Sequence, residues 1–173
     1  MLRSPPMDAD LRSELLRRME LDQAPMRDMR VGQAVDPELI ERMRATFRDN
    51  AAWLAGIIRE HGWPGRSLVG TEGATAAFLI AQHADHDPAF QRECLDLLVV
   101  AAESRDVSLS DVAYLTDRVL LTELGWQVYG TQFTAGPTGP EPQPIEDPET
   151  VDERRRTMGL PPLAEYWELM RSR

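Results

Sequence analysis

The chain has 173 residues, 42% of them hydrophobic, with no low-complexity run. That is enough to bury a core of its own. Its formal charge is −10, which argues against nucleic-acid binding and against docking on an anionic membrane, since both call for basic surfaces. All 19 basic residues are arginine, and without lysine there is no Schiff base and no P-loop. The single cysteine, Cys94, permits neither an internal disulfide nor a thiolate metal cage. MLRSPPMDAD at the start lacks the apolar centre of a signal peptide, and no apolar stretch approaches membrane-spanning length. A soluble, cytoplasmic protein is expected.

Helical signals dominate in chain order. Leu11, Leu15, Met19 and Met26 form an apolar stripe over residues 8–24 and beyond. Pro25 is expected to end or kink that helix, because its ring clashes with the carbonyl four residues back. Asp36-Pro37 opens a second helix, with Asp as cap and Pro at the first helical position. Its stripe runs through Leu39, Met43, Phe47, Leu54 and Ile58, and Gly62 ends it. Thr71 suits the cap of a third helix. Asp87-Pro88 opens a fourth, with Phe90, Cys94 and Leu98 along one side. Ser108 with Asp111 resembles a capping box for a fifth, closed by Gly125.

WQVYGTQF, residues 126–133, alternates and is rich in aromatic and β-branched residues, so a short strand is expected there. Residues 134–146, dominated by Gly and Pro, suggest a loop, and connections of that length often serve as lids. Asp147-Pro148 opens a short polar helix, and residues 163–171 form the last. The whole is expected to be all-α: a single-domain bundle of about six or seven helices with a short β element near residues 126–133, preceded by a flexible tail over residues 1–7.

Two histidines and two aspartates crowd QHADHDPAF, residues 82–90. Asp87 belongs to the helix cap, and Asp85 and His86 suit a solvated helix end. His83 differs, because it follows Leu79 and Ile80 at helical spacing on the apolar side. It is either a satisfied core group or a site residue. His83 and His86 could share a metal, but two histidines without a recurring ligand motif are a weak signal. No metal and no cofactor is expected. Asp117 also interrupts an apolar stripe, as do Asp22 and Gln23 near Met19. A buried carboxylate must be paired, so each is either a structural ion pair or part of a pocket. Gln127, Tyr129 and Thr131 would share one face of an extended segment. Cys94 suits the core, and Arg154, Arg155 and Arg156 suit a solvated, locally paired face.

The blocks Asp22-Gln23, Gly62-Trp63-Pro64, Gln82-His83-Ala84-Asp85, Asp117-Arg118 and Gln127 with Tyr129-Gly130-Thr131-Gln132 resemble a family of small bacterial proteins classed as a domain of unknown function. The resemblance runs from about residue 11 to about residue 166. It marks positions and implies no reaction, but it favours a site role for His83 and lowers the metal reading.

The expected function is acid–base chemistry without a metal, such as hydrolysis by activated water or elimination/isomerisation, on a polar small molecule or peptide-like group. His83 would be the acid or base, since an imidazole titrates near neutrality. Asp117, or with less support Asp22, would orient it. Tyr129 would join them in one pocket. Asp22, Gln23, Gln82, Arg118, Gln127 and Gln132 would bind substrate. The competing expectation is a non-catalytic ligand-binding or interaction module, in which the same residues form a structural network.

Overall fold

The structure, a computed structural model, describes residues 7–27, 36–137 and 139–172. Most of the expected N-terminal tail and the side chain of Met26 lie outside the described residues. Seven α-helices and one two-stranded antiparallel sheet make up the described chain, an all-α fold with a short β element. No helix of the described residues is long and apolar enough to cross a membrane. Although no linker is visible in the sequence, the chain groups into two compact units, residues 1–107 and 108–173.

The first unit holds α1 (Ala9–Arg27), α2 (Pro37–His61), α3 (Arg66–Gln82) and α4 (Pro88–Glu103). Asp8 caps α1 by accepting from the Leu11 amide at 2.9 Å. Leu11, Leu15 and Asp22 are the buried positions of this helix, a stripe that packs on α3. Pro25 neither ends nor breaks the helix; α1 runs two residues further, to Arg27. So near the end, only the last turn has to absorb the missing N–H.

Asp36 caps α2, accepting from the Glu38 amide at 3.0 Å, and Asp87 caps α4, accepting from Phe90 at 3.0 Å. Both follow the Asp-Pro signal. Between them, α3 is buried along much of its length, through Val69, Ala74, Ala76, Ala77, Phe78, Ile80 and Ala81. Burial on several sides is expected of a helix surrounded by partners, and α1, α2 and α4 all pack on α3. Gly70 divides α3, with φ 72° and ψ 173° inside an otherwise helical run. A side chain is strained at that φ, so the long stretch restarts at Thr71, where the sequence places a helix start. Cys94 is fully buried in this core, and burial pushes its thiol up.

The second unit holds α5 (Leu109–Leu124), β1 (Phe133–Gly136), β2 (Gly139–Pro142), a short 3-10 turn (Pro148–Thr150), α6 (Val151–Thr157) and α7 (Leu163–Arg171). Ser108 precedes α5 without a side-chain capping bond; its hydroxyl instead meets that of Ser110 at 2.6 Å. Gly125 ends α5 as a left-handed cap, its N–H bonded to the Leu121 carbonyl. The β element lies later than the sequence suggests. Residues 126–132 make a turn-rich segment with one bridge, Gln127 to Ile145. Four pairs, from Phe133–Pro142 to Gly136–Gly139, build the hairpin, which begins at the last residue of the expected strand and otherwise lies inside the stretch expected to be a loop. Thr138, within that stretch, lies outside the described residues. Helix α7 packs on β2, and the Trp167 indole N–H donates to the Pro140 carbonyl at 2.7 Å.

Gly130 sits where the chain turns under α7, at φ 67°. A Cβ there would lie 2.9 Å from Leu163 Cδ1 and 3.0 Å from Ile145 Cδ1. Gly130→Ala is therefore expected to cost about 1–3 kcal/mol, from the left-handed backbone and the crowding together. Urea denaturation reads this directly, and an unchanged midpoint would refute it.

Candidate functional site

The candidate residues divide between the two units. Asp22, Gln23, Gln82 and His83 belong to the first; Asp117, Arg118, Gln127, Tyr129 and Gln132 belong to the second.

His83 is the C-cap residue of α3, its N–H bonded to the Leu79 carbonyl at 3.1 Å. Its ring Nδ1 lies 2.6 Å from Oδ2 of Asp22, on α1. Asp22 is fully buried and His83 nearly so, with 0% and 14% of their side chains exposed. Gln23 donates its side-chain N–H to the same Oδ2 at 2.7 Å. Oδ1 of Asp22 is buried and has no hydrogen-bond partner among the described residues. A carboxylate can only accept, so the Nδ1 of His83 carries the proton in this bond. The other ring nitrogen, Nε2, then presents a lone pair whenever the ring is neutral.

The carboxylate held to His83 is thus Asp22, not Asp117, which the sequence favoured. Both aspartates interrupt apolar stripes, and periodicity reports burial without naming a partner. The partner is fixed by the packing of α1 on α3, which brings together residues 61 positions apart.

His83 also lines a cavity of about 470 Å³. Arg44, Phe47 and Arg48 of α2 form one side; Asp85 and His86, from the turn after α3, complete the lining. The ring of Phe47 lies 5.0 Å from that of His83, tilted by 39°. Gln91 secures the turn from beneath. It is buried, and its side-chain N–H donates to the Gln82 carbonyl and to Oδ1 of Asp85, both at 3.0 Å. Gln91 was not among the sequence candidates, although it sits three before Cys94 and seven before Leu98. A polar residue on that stripe was the signal that marked it. Arg44 and Arg48 gave no comparable signal, because exposed arginines on a helix are ordinary. Among the described residues, no group of three His, Cys, Asp or Glu side chains is placed to share a metal ion.

In the second unit, Asp117 is fully buried on α5 and serves the backbone that follows it. Its Oδ1 accepts from the amides of Val128 and Tyr129, each at 2.8 Å. Its Oδ2 accepts from the amide and hydroxyl of Thr131, at 2.8 and 2.9 Å. Burial raises the carboxyl above its ordinary value, and these hydrogen bonds oppose that rise. Arg155 grips the same loop through its carbonyls. Its guanidinium is buried, donates to the carbonyls of Tyr129 and Pro161 at 2.6 Å, and lies over the Tyr166 ring. Arg154 donates to the Val128 carbonyl at 2.9 Å. Two members of the arginine run thus hold the loop, where the sequence suggested a solvated face.

Gln127 is fully buried, and its side-chain amide bonds only backbone: N–H to the carbonyls of Gln132 and Gln143 at 2.9 Å, oxygen to the Gln132 amide at 2.8 Å. The Gln132 side chain donates to the Thr131 hydroxyl at 3.0 Å. Tyr129 is half-buried, and burial pushes its phenol up. Arg118 lies half-buried on α5.

A family model described as a family of unknown function (DUF6624) matches residues 9–172. The chain belongs to that family. Searches of curated proteins and of solved structures gave no match.

Proposed function

We propose that the protein is an acid–base enzyme in which His83 transfers the proton and Asp22 holds the imidazole. The observation that carries this is the 2.6 Å bond between Asp22 and Nδ1 of His83 at the wall of a cavity. A buried carboxylate fixing Nδ1 leaves Nε2 as the reactive nitrogen, the division of labour that general-base histidines use. Among the described residues, the cavity lining contains no Ser, Thr, Cys or Lys, which supports water-mediated hydrolysis or elimination/isomerisation over a covalent intermediate. A volume of about 470 Å³ suits a polar small molecule or the end of a peptide-like group. We also place the protein in a bacterial cytoplasm, on its single cysteine and its resemblance to bacterial proteins.

The second unit supports a different role for its own marked residues. Asp117 and Gln127 spend their acceptors and donors on backbone, which suits a structural network.

The test screens wild type and His83→Asn in parallel against esters, amides, phosphate esters and β-substituted carboxylic acids. A turnover present in wild type and about a hundredfold or more lower in the variant is the expected result, that being the usual share of a general base. A panel in which every turnover survives His83→Asn unchanged would overturn the assignment.

A further inference from the structure

We infer that the cavity beside His83 binds its ligand through an oxyanion, a carboxylate or a phosphate, gripped by Arg44 and Arg48, and that Glu41 competes for the same guanidinium groups. The inference rests on reading this cavity as the functional site and adds the charge of what enters it.

Arg44 and Arg48 stand four residues apart on α2, so their side chains share one helix face. Both line the cavity, with Phe47 between them in sequence and its ring against His83. Among the described lining residues Asp85 is the one carboxylate, and its Oδ1 accepts from Gln91. Two guanidinium groups against one carboxylate give this wall cationic donors in a chain of net charge −10. Each guanidinium is a planar fork of donors that matches the paired oxygens of a carboxylate or phosphate.

One acidic side chain already uses that fork. Glu41 Oε1 lies 2.8 Å from Arg48 Nη2, and its Oε2 lies 3.9 Å from Arg44 Nη1. The bond to Arg48 holds the Glu41 carboxyl below its ordinary value, so it stays an anion. All three side chains are more than half exposed, and exposed pairs of this kind are easily exchanged. Glu41 is not part of the cavity lining, so a ligand anion can take its place on the guanidinium groups without disturbing the wall. Binding there would fix one end of a ligand and leave its reacting atoms toward His83. The orienting role fits a lining that, among the described residues, holds no other cation apart from the histidines.

The experiment is an NMR titration of the full-length protein at fixed pH and ionic strength, following the His83 ring carbon-bound protons. Inorganic phosphate and acetate serve as separate probes and distinguish the two oxyanions. A saturable shift with at least one probe is expected below about 50 mM, the range of weak single-group binding. Arg48→Gln should weaken it about tenfold or more, as the loss of a charge-assisted pair does. Arg44→Gln should act in the same direction. Glu41→Gln should tighten it severalfold, a gain that damage to the fold would not produce. His83→Asn, followed through the Phe47 ring, should keep the binding, so a failed catalytic assignment is told apart from a failed anion site. No saturable shift with either anion, or equal affinity in wild type, Arg48→Gln and Glu41→Gln, would overturn the inference.

Discussion

Asp117→Asn is expected to lower the melting temperature by roughly 6–12 °C, at about 2–4 °C per kcal/mol for a chain of this size. The carboxylate has two oxygens that each accept two donors from residues 128–131. Asparagine keeps one acceptor and turns an NH2 group toward the other pair of donors. A fully buried position gives those donors no water, and stranding them costs about 3 kcal/mol. Amide exchange should quicken ahead of the rest of the chain either at Val128 and Tyr129 or at Thr131, according to which donors the NH2 group faces, since those N–H groups lose their acceptor. A melting temperature within about 2 °C of wild type would show that the loop is held by something else.

Asp22→Asn should give the opposite signature. Turnover is expected to fall about 10²–10⁴-fold, the range seen when the orienting carboxylate of a catalytic histidine becomes an amide. Stability should change little. Oδ1 of Asp22 is buried without a partner, and an unsatisfied charged oxygen is a cost that the amide relieves. Nitrogen NMR of the His83 ring gives a reading that needs no substrate. Wild type should show the proton on Nδ1, and the variant should lose that preference wherever the amide N–H faces the ring. A variant that turns over within about threefold of wild type would remove Asp22 from the mechanism.

Local signals in the sequence translated well. Asp36 and Asp87 cap their helices as Asp-Pro predicts, because a cap depends on residues two or three positions away. Gly125 closes α5 for the same reason. The misplacements arise where long-range contacts decide. Residues 126–133 alternate like a strand, yet Asp117 and Arg155 claim their backbone groups, so pairing begins only at Phe133. The Gly/Pro stretch after it looked structureless because its order comes from a facing strand and from Trp167. His83, Asp22 and Asp117 were visible as polar breaks in apolar stripes. Which carboxylate would meet the imidazole was not, since helix periodicity carries no information about register between helices. Arg155 was hidden by its neighbours, for three consecutive arginines resemble a solvated face until one of them is seen to be buried.

The loop from Val128 to Thr131 is grasped through its peptide groups, its amides by one anion and its carbonyls by two cations. Such a grip is blind to most side chains it passes over. Mutational tolerance should therefore be uneven across four adjacent positions. Val128 can change freely as far as the grip is concerned, and Tyr129 is constrained only by what its own ring does. Gly130 is fixed by conformation, and Thr131 by the hydroxyl it lends to Asp117. Position 155 should reject even lysine, because an ammonium cannot span Tyr129 and Pro161 in the way a forked guanidinium does. A saturation scan of residues 128–131 and 155 would display this as permissive columns at 128 and 129 followed by forbidden ones at 130, 131 and 155, and a uniform profile would contradict it.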